Sequence, residues 1–187
     1  MTRIIAGTAG GRTLAVPGSG TRPTSDRVRE AMFSRLEHLN AIHHAHVLDL
    51  YCGSGALGLE AASRGAGTVT LVDSSPKAAA VARKNVAAVG VPSVTVVCKD
   101  ALKWLNGAVV SQPWDLVFLD PPYDLGEAVL GAVLTAVSAA SRLSEDAVIV
   151  VERSKRSPEP TWPDGLELRE RRNYGETSVY FAAPAGA

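Results

Sequence analysis

From residue 46 to residue 151 short apolar runs alternate with longer stretches whose apolar positions recur every three or four residues. The runs are Val47–Leu50, Thr68–Val72, Val94–Cys98, Asp115–Leu119 and Ala147–Val151. Their length suits strands, and their largely apolar content suits strands covered on both faces. One intervening helical stretch ends near Arg64-Gly65. A second opens at Ser75-Pro76, an N-cap followed by an N1 proline, and stops at Gly90. A third runs from about Gly126 to Ala140, with Leu130, Val133, Leu134 and Val137 on one face. Repeated strand–helix units predict an α/β fold built on a parallel sheet.

The flanks differ. Arg3–Gly7 and Arg12–Val16 read as short extended segments joined through Thr8–Gly11, where the glycine pair predicts a hairpin. Pro17–Pro23 reads as loop. A helix is predicted from about Ser25 to Leu39, with Ser25 as N-cap, Asp26 in the first turn, and Val28, Met32, Leu36 and Leu39 on one face. After Glu152 the pattern breaks. Three prolines between Ser154 and Gly165 leave room for a short helix at most, and Glu167–Asn173 with Ser178–Ala183 predict an antiparallel pair at the sheet edge. The chain divides into an extension, residues 1–40, and a body, residues 41–187, within one globular unit.

Composition narrows the partners. The chain has 187 residues, enough for one domain that buries roughly 70% of its extended surface. Formal net charge is zero, yet residues 1–40 carry six Arg against three acids, and the first 24 carry three Arg and no acid. A neutral body with a basic arm points to a local polyanion contact. Cys52 and Cys98 are too few for a disulfide framework or a cysteine zinc site. No run approaches a signal h-region or a membrane span, so a soluble cytoplasmic protein, away from membranes, is expected. His43, His44 and His46 have no common metal-ligand spacing, and no metal is expected.

The glycines carry the first chemical signal. Gly53-Ser-Gly55-Ala-Leu-Gly58 places G-x-G-x-x-G between a predicted strand and helix, and Asp73 follows Gly53 by twenty residues. Small residues there let an adenosine-containing ligand approach the backbone, and Asp73 can accept from both ribose hydroxyls. Asp49, four residues before Gly53, would repel the pyrophosphate of a dinucleotide but attract a cationic amine. S-adenosylmethionine offers that amine and a sulfonium. Asp100, beyond the third run, can accept from an adenine amino group.

Asp120-Pro121-Pro122-Tyr123 ends the fourth run. An exocyclic base amine is a poor nucleophile because its lone pair is delocalised into the ring. The Asp120 carboxylate and Pro121 carbonyl can both accept its N–H bonds, favour pyramidalisation and aim the lone pair at a methyl group. Pro121 and Pro122 stiffen the loop, and Tyr123 can stack on the base. Transfer is then a direct displacement. Cys52 has no histidine partner and is not read as a nucleophile.

Together these residues resemble the bacterial 16S rRNA guanine-N2 methyltransferases that modify guanine 966, within the class I S-adenosylmethionine-dependent methyltransferases. The resemblance spans nearly the whole chain, through Arg3–Gly7, Gly11-Arg12, Arg22–Phe33, Leu48–Gly58, Asp120–Tyr123 and Tyr174-Gly175. It implies a Rossmann-like sheet of seven strands, the last antiparallel, behind an N-terminal β-hairpin and helix. It implies that Arg22–Ser25 closes over the cofactor and that the hairpin helps hold RNA. By the same resemblance Thr24, Asp49, Tyr51, Gly53, Gly55, Asp73, Ser74, Asp100 and Ala101 fall on cofactor positions. Asp120, Pro121, Pro122 and Tyr123 fall on the catalytic loop. Arg3, Arg12, Arg22, Lys155 and Arg156 are the candidate RNA contacts, the partner being 16S rRNA within an assembling or assembled 30S subunit and the enzyme a monomer. Without the resemblance, the residues point only to amino-group methylation. Adenine-N6 or cytosine-N4 in nucleic acid, a protein glutamine amide, or a non-catalytic nucleic-acid module stay open at this point.

Overall fold

The computed structural model describes residues 2–18 and 24–187. A short hairpin, β1 (Thr2–Arg3) and β2 (Thr13–Leu14), precedes helix α1 (Asp26–His38). Then follow β3 (His46–Leu50), α2 (Ala56–Ser63), β4 (Thr68–Asp73), α3 (Pro76–Val89), β5 (Val94–Cys98), α4 (Ala101–Gly107), β6 (Trp114–Leu119), α5 (Glu127–Val137), β7 (Leu143–Ser154), β8 (Leu166–Tyr174) and β9 (Thr177–Pro184). The large sheet has seven strands in the order β5-β4-β3-β6-β7-β9-β8. Five strands from β5 to β7 are parallel, and β9 inserts antiparallel between β7 and β8. The predicted seven-stranded architecture, with its last strand antiparallel, is therefore the architecture of this chain.

Alternation along each central strand feeds two apolar layers. Val47, Leu116, Phe118, Val150, Val179 and Phe181 join one; Leu48, Val117, Leu119, Ile149, Val151 and Tyr180 join the other. Both faces are dry, which is why these strands read as continuous apolar runs. Local capping follows the residue types. The Ser25 and Ser75 hydroxyls accept from Val28 N and Ala78 N, and Gly90 closes α3 at φ +68°.

Several expectations need correction. Helix α4 has no counterpart among the predicted elements; its N-cap is Asp100, whose side chain accepts from Lys103 N. Helix α5 ends at Val137 and β7 begins at Leu143, with a register shift against β6 between Trp114 and Leu116. No helix forms between Ser154 and Gly165; the segment crosses in irregular form, with Trp162 packed edge-on against Tyr180 at 6.0 Å between centroids. Only two residues on each arm of the hairpin pair as strand.

The extension is packed into the body. Ile4, Leu14, Met32, Phe33 and Leu36 are fully buried in the layer that holds Val47 and Phe118. The Phe33 and Phe118 rings lie 5.5 Å apart. Each such side chain contributes roughly 1.5–3 kcal/mol on burial. Glu60, on α2, accepts from Ile5 N at 2.9 Å and Ala6 N at 3.1 Å and pairs with Arg64 Nε at 2.9 Å. Buried Arg29 donates through Nη2 to the Arg3 carbonyl and to Asp26. The hairpin is thus fixed by polar contacts at its backbone as well as by its apolar side chains.

Candidate active site

In parallel sheets covered by helices, ligands collect where the strands end at their carboxyl termini. Here that edge holds a cavity of ≈ 660 Å³. Asp49 ends up there because β3 passes into the Tyr51–Gly55 turn, which the chain takes at positive φ at Tyr51 (59°), Gly53 (56°) and Gly55 (84°). Gly58 lets α2 lie directly on β4: a Cβ there would sit 2.3 Å from Leu71 Cδ2. The close approach delivers Gly58 N to Asp49 Oδ2 at 2.9 Å. Asp49 is 1% exposed, and its Oδ1 has no hydrogen-bond partner. Burial pushes its carboxyl up to about 7, the Gly58 bond drawing it down less and the Asp73 charge adding to the rise. A buried carboxylate with one idle oxygen facing a cavity suits a cationic donor.

Asp73 closes the turn from β4. Its Oδ2 accepts from Gly53 N at 2.8 Å and its Oδ1 from Ser75 N at 2.9 Å. Each oxygen keeps a second lone pair for a hydroxyl. Ser74 and Asp100 continue the wall, and Tyr51 lines it with a phenol that burial raises to about 12. Gly55 and Ala101 lie behind it. A Cβ on Gly55 would reach Leu71 Cδ1 at 2.9 Å, and Ala101 is buried as the first residue of α4. Cys52 is buried beside the turn, and burial raises its thiol far above the ordinary range. It is no nucleophile at neutral pH.

The residues predicted to form the catalytic loop occupy the other half of the cavity. Asp120, Pro121, Pro122 and Tyr123 all line it, with Tyr123 at the lip and 67% exposed. The Pro122 carbonyl is already taken by Leu125 N at 3.0 Å and Arg153 Nη1 at 3.2 Å, which leaves the acceptor role to Pro121. Arg153, almost wholly buried, also reaches Glu127 at 3.0 Å and so braces the loop against α5.

Two cavity-lining residues escape the sequence reading: Glu152 and Arg153, adjacent near the end of β7. The Thr24 hydroxyl lies 2.7 Å from Glu152 Oε2 and 3.4 Å from Asp120 Oδ2. Thr24, expected beside the cofactor, therefore also faces the Asp120 carboxylate. Burial raises Asp120 well above the carboxylate range, helped by the charges of Glu152 and Asp49; Glu152 is raised by its own burial. Glu152 had a legible signal, since it is another acid at the end of an apolar strand, like Asp49, Asp73 and Asp120.

Charge in the cavity is lopsided. Among the described residues that line it, Asp49, Asp73, Asp100, Asp120, Asp124 and Glu152 stand against one cation, Arg153. Phosphates would be repelled, whereas an amine and a sulfonium would be held. The residues present therefore fit S-adenosylmethionine: Asp49 for the amine, Asp73 for the ribose, Asp100 for the adenine amino group.

The candidate RNA contacts scatter. Lys155 and Arg156 follow β7 directly and sit beside the mouth; Arg156 pairs only loosely with Glu176, at 3.8 Å. Arg3 lies 3.6 Å from Asp26 at the start of α1. Arg12 instead caps α3, its guanidinium on the Val89 carbonyl. That helix starts at the cavity and runs 14 residues, about 21 Å, before reaching Arg12. Arg22 lies outside the described residues. The His43 and His44 rings lie 3.9 Å apart and tilted by 47°, and His46 turns to Thr68.

The family described as Conserved hypothetical protein 95 matches residues 2–183 of the chain. Over 177 residues the chain is 37% identical to Ribosomal RNA small subunit methyltransferase D of Escherichia coli (strain K12), covering 94% of this chain and 86% of that one. The solved structure of yhhF from Escherichia coli superposes with a TM-score of 0.85 at 34% identity, covering 100% of this chain and 99% of that chain. A hypothetical protein from Thermus thermophilus gives a TM-score of 0.82 at 31% identity, over 97% of this chain and 98% of that one.

Proposed function

The chain belongs to the family of Ribosomal RNA small subunit methyltransferase D, and from that premise we propose that it methylates the exocyclic N2 amine of a guanine in 16S rRNA, position 966, using S-adenosylmethionine. The observation that carries this reading is the position of Asp120–Tyr123, at the end of β6 and opposite the Asp49–Asp73 half of one cavity. Cofactor and amine acceptors thus face a common space.

The cofactor supplies an electrophilic methyl group on a sulfonium. Asp49 holds its amine through the idle Oδ1, and Asp73 and Asp100 hold the ribose and the base. Asp120 and the Pro121 carbonyl accept the two N–H bonds of the guanine amine, and Tyr123 stacks on the flipped ring. Arg153 and the prolines keep these acceptors fixed, so that orientation, not a covalent intermediate, lowers the barrier.

The extension, residues 1–40, works as an integral arm of the same unit. Lys155 and Arg156, directly after the cavity-lining Ser154, and Arg3 are the phosphate contacts this reading favours, with Arg22 two residues before Thr24 in sequence and Arg12 far from the cavity at the end of α3. The substrate is the RNA within an assembling or assembled 30S subunit, and the enzyme acts as a monomer in the cytoplasm. Among the described residues no helix is long and apolar enough to cross a membrane.

The test is to incubate the protein and labelled cofactor with small-subunit particles, naked 16S rRNA, duplex DNA and a glutamine-containing peptide, then map the modified atom. Label at a guanine N2 of 16S rRNA is expected. Label on adenine, cytosine or an amide would replace the substrate assignment.

A further inference from the structure

Methylation leaves a proton on the amine, and the site holds a buried acid with no part yet in the chemistry. Glu152 lies near the end of β7 at 9% exposure and, among the described residues, has no cation of its own, because Arg153 turns away to Pro122, Leu125 and Glu127. Its contact is the Thr24 hydroxyl, shared with Asp120. One hydroxyl hydrogen cannot serve two carboxylates. At 2.7 Å the contact to Glu152 has the length of a charge-assisted O–H···O⁻ bond, whereas 3.4 Å to Asp120 is a weak one.

The hydrogen therefore belongs to Glu152, which is the charged member of the pair. Asp120 faces a hydroxyl oxygen whose hydrogen points elsewhere. It also faces a fixed negative charge from β7 and a second, Asp49, from β3. Among the described residues the cation beside it is Arg153, which is engaged on the loop. Two buried carboxylates this close do not ionise independently, and the one without the hydrogen bond becomes the stronger base.

We propose that Glu152, anchored by Thr24, is a positioning residue that makes Asp120 basic enough to take the proton from the amine. The proposal rests on the methyl-transfer reading above. As the lone pair of the amine forms the N–C bond, the electron pair of the broken S–C bond stays on sulfur. The N–H bond then breaks with its electrons left on nitrogen, and the proton passes to an Asp120 oxygen. One positive and one negative charge are cancelled together. Asp120 returns its proton to water when the product leaves.

Carboxyl-13C NMR of the protein without cofactor or RNA gives the Asp120 titration midpoint directly, and single-turnover rates against pH give its kinetic counterpart. Glu152→Gln should lower the midpoint by about one pH unit or more and move the acid limb of the rate profile with it. It should also slow the plateau rate while sparing cofactor affinity. Thr24→Ser, which keeps the hydroxyl, should hold the midpoint near its wild-type value. Thr24→Val, which leaves Glu152 without its hydrogen bond and drives it to the neutral form, should shift the midpoint in the same direction as Glu152→Gln. If Glu152→Gln fails to fold, Thr24→Val carries the same expectation. A midpoint indifferent to both changes overturns the proposal, and so does a rate profile that stays put while the midpoint moves. A protein that shows the shift yet methylates no RNA contradicts the methyl-transfer reading and leaves the Asp120–Glu152 coupling intact.

Discussion

Glu60 and Asp49 are both sealed from solvent, at 0% and 1% exposure, and lie on neighbouring elements of one layer. Their surroundings differ completely. Both oxygens of Glu60 are occupied, by two hairpin amides and the Arg64 guanidinium. Asp49 has one amide and an idle oxygen, and the cavity next to it adds a second crowded pair, Asp120 and Glu152, on one hydroxyl. A buried charge is tolerated only when something pairs with it. Where the protein supplies every partner, the carboxylate is a rivet. Where it supplies half, the remainder must come from a ligand.

If that distinction is right, the largest effect belongs to the rivet. Glu60→Ala should cost about 3–5 kcal/mol of stability in urea unfolding, because it strands two amides and takes from buried Arg64 its one fully buried partner, leaving the half-exposed Glu37 and Glu30. A loss under about 1 kcal/mol would mean the hairpin is held by its apolar side chains alone. On the cavity side the order reverses, with stability spared and chemistry lost. Asp120→Ala should lower the single-turnover rate by about 10²–10³-fold, or ~3–4 kcal/mol, with cofactor affinity nearly unchanged. Asp120→Asn keeps an oxygen in place and should fall between Ala and wild type. Equal, near-wild-type rates for both would remove Asp120 from the amine.

Asp49→Asn should weaken S-adenosylmethionine binding by about 1.5–3 kcal/mol in calorimetric titration. With the empty-site carboxyl near 7 and the amine favouring the ionised form, binding below that pH releases a proton. Affinity in the wild type should therefore climb as pH rises toward about 7 and then level off. Asp49→Asn should lack that limb, and a wild-type affinity flat across it would show Asp49 already ionised. Smallest of all, Arg12→Ala should cost ~1 kcal/mol of stability, as a lost helix C-cap does, with little change in RNA affinity. Neutralising Lys155 and Arg156 should flatten the salt dependence of RNA binding without touching stability. The opposite pattern would move the phosphate contact to the hairpin.

Much of this was readable in the chain. Ser75, Pro76 and Gly90 act within a few residues of themselves, so they marked α3 to the residue. The strand-end acids followed from the run-then-turn pattern, and the same rule applied to the fifth run leads to Glu152. Helix α4 was hidden because Asp100 has two tasks, cap and candidate ligand, and because its seven residues are too few to show a helical period. The link from Thr24 to Glu152 could not be read, since no local pattern relates residues 128 apart. Arg12 misled for a similar reason. Its charge suggests a polyanion, and only the folded chain shows the helix end it covers.

That span also bears on how the molecule is made. The segment ahead of β3 is synthesised first, yet its partners arrive late: Glu60 and Asn85, then Phe118, then Glu152, and for Arg35 the side chain of Glu170, 135 positions later. At about 5–20 residues per second the earliest part of the chain waits roughly 7–30 s for the last of them. During that wait the layer around Val28, Met32, Phe33 and Leu36 lacks its later members, Phe118, Val150 and Phe181, and the pocket lacks its Thr24–Glu152 contact. A chain built this way reaches working form only once β8 and β9 have been made.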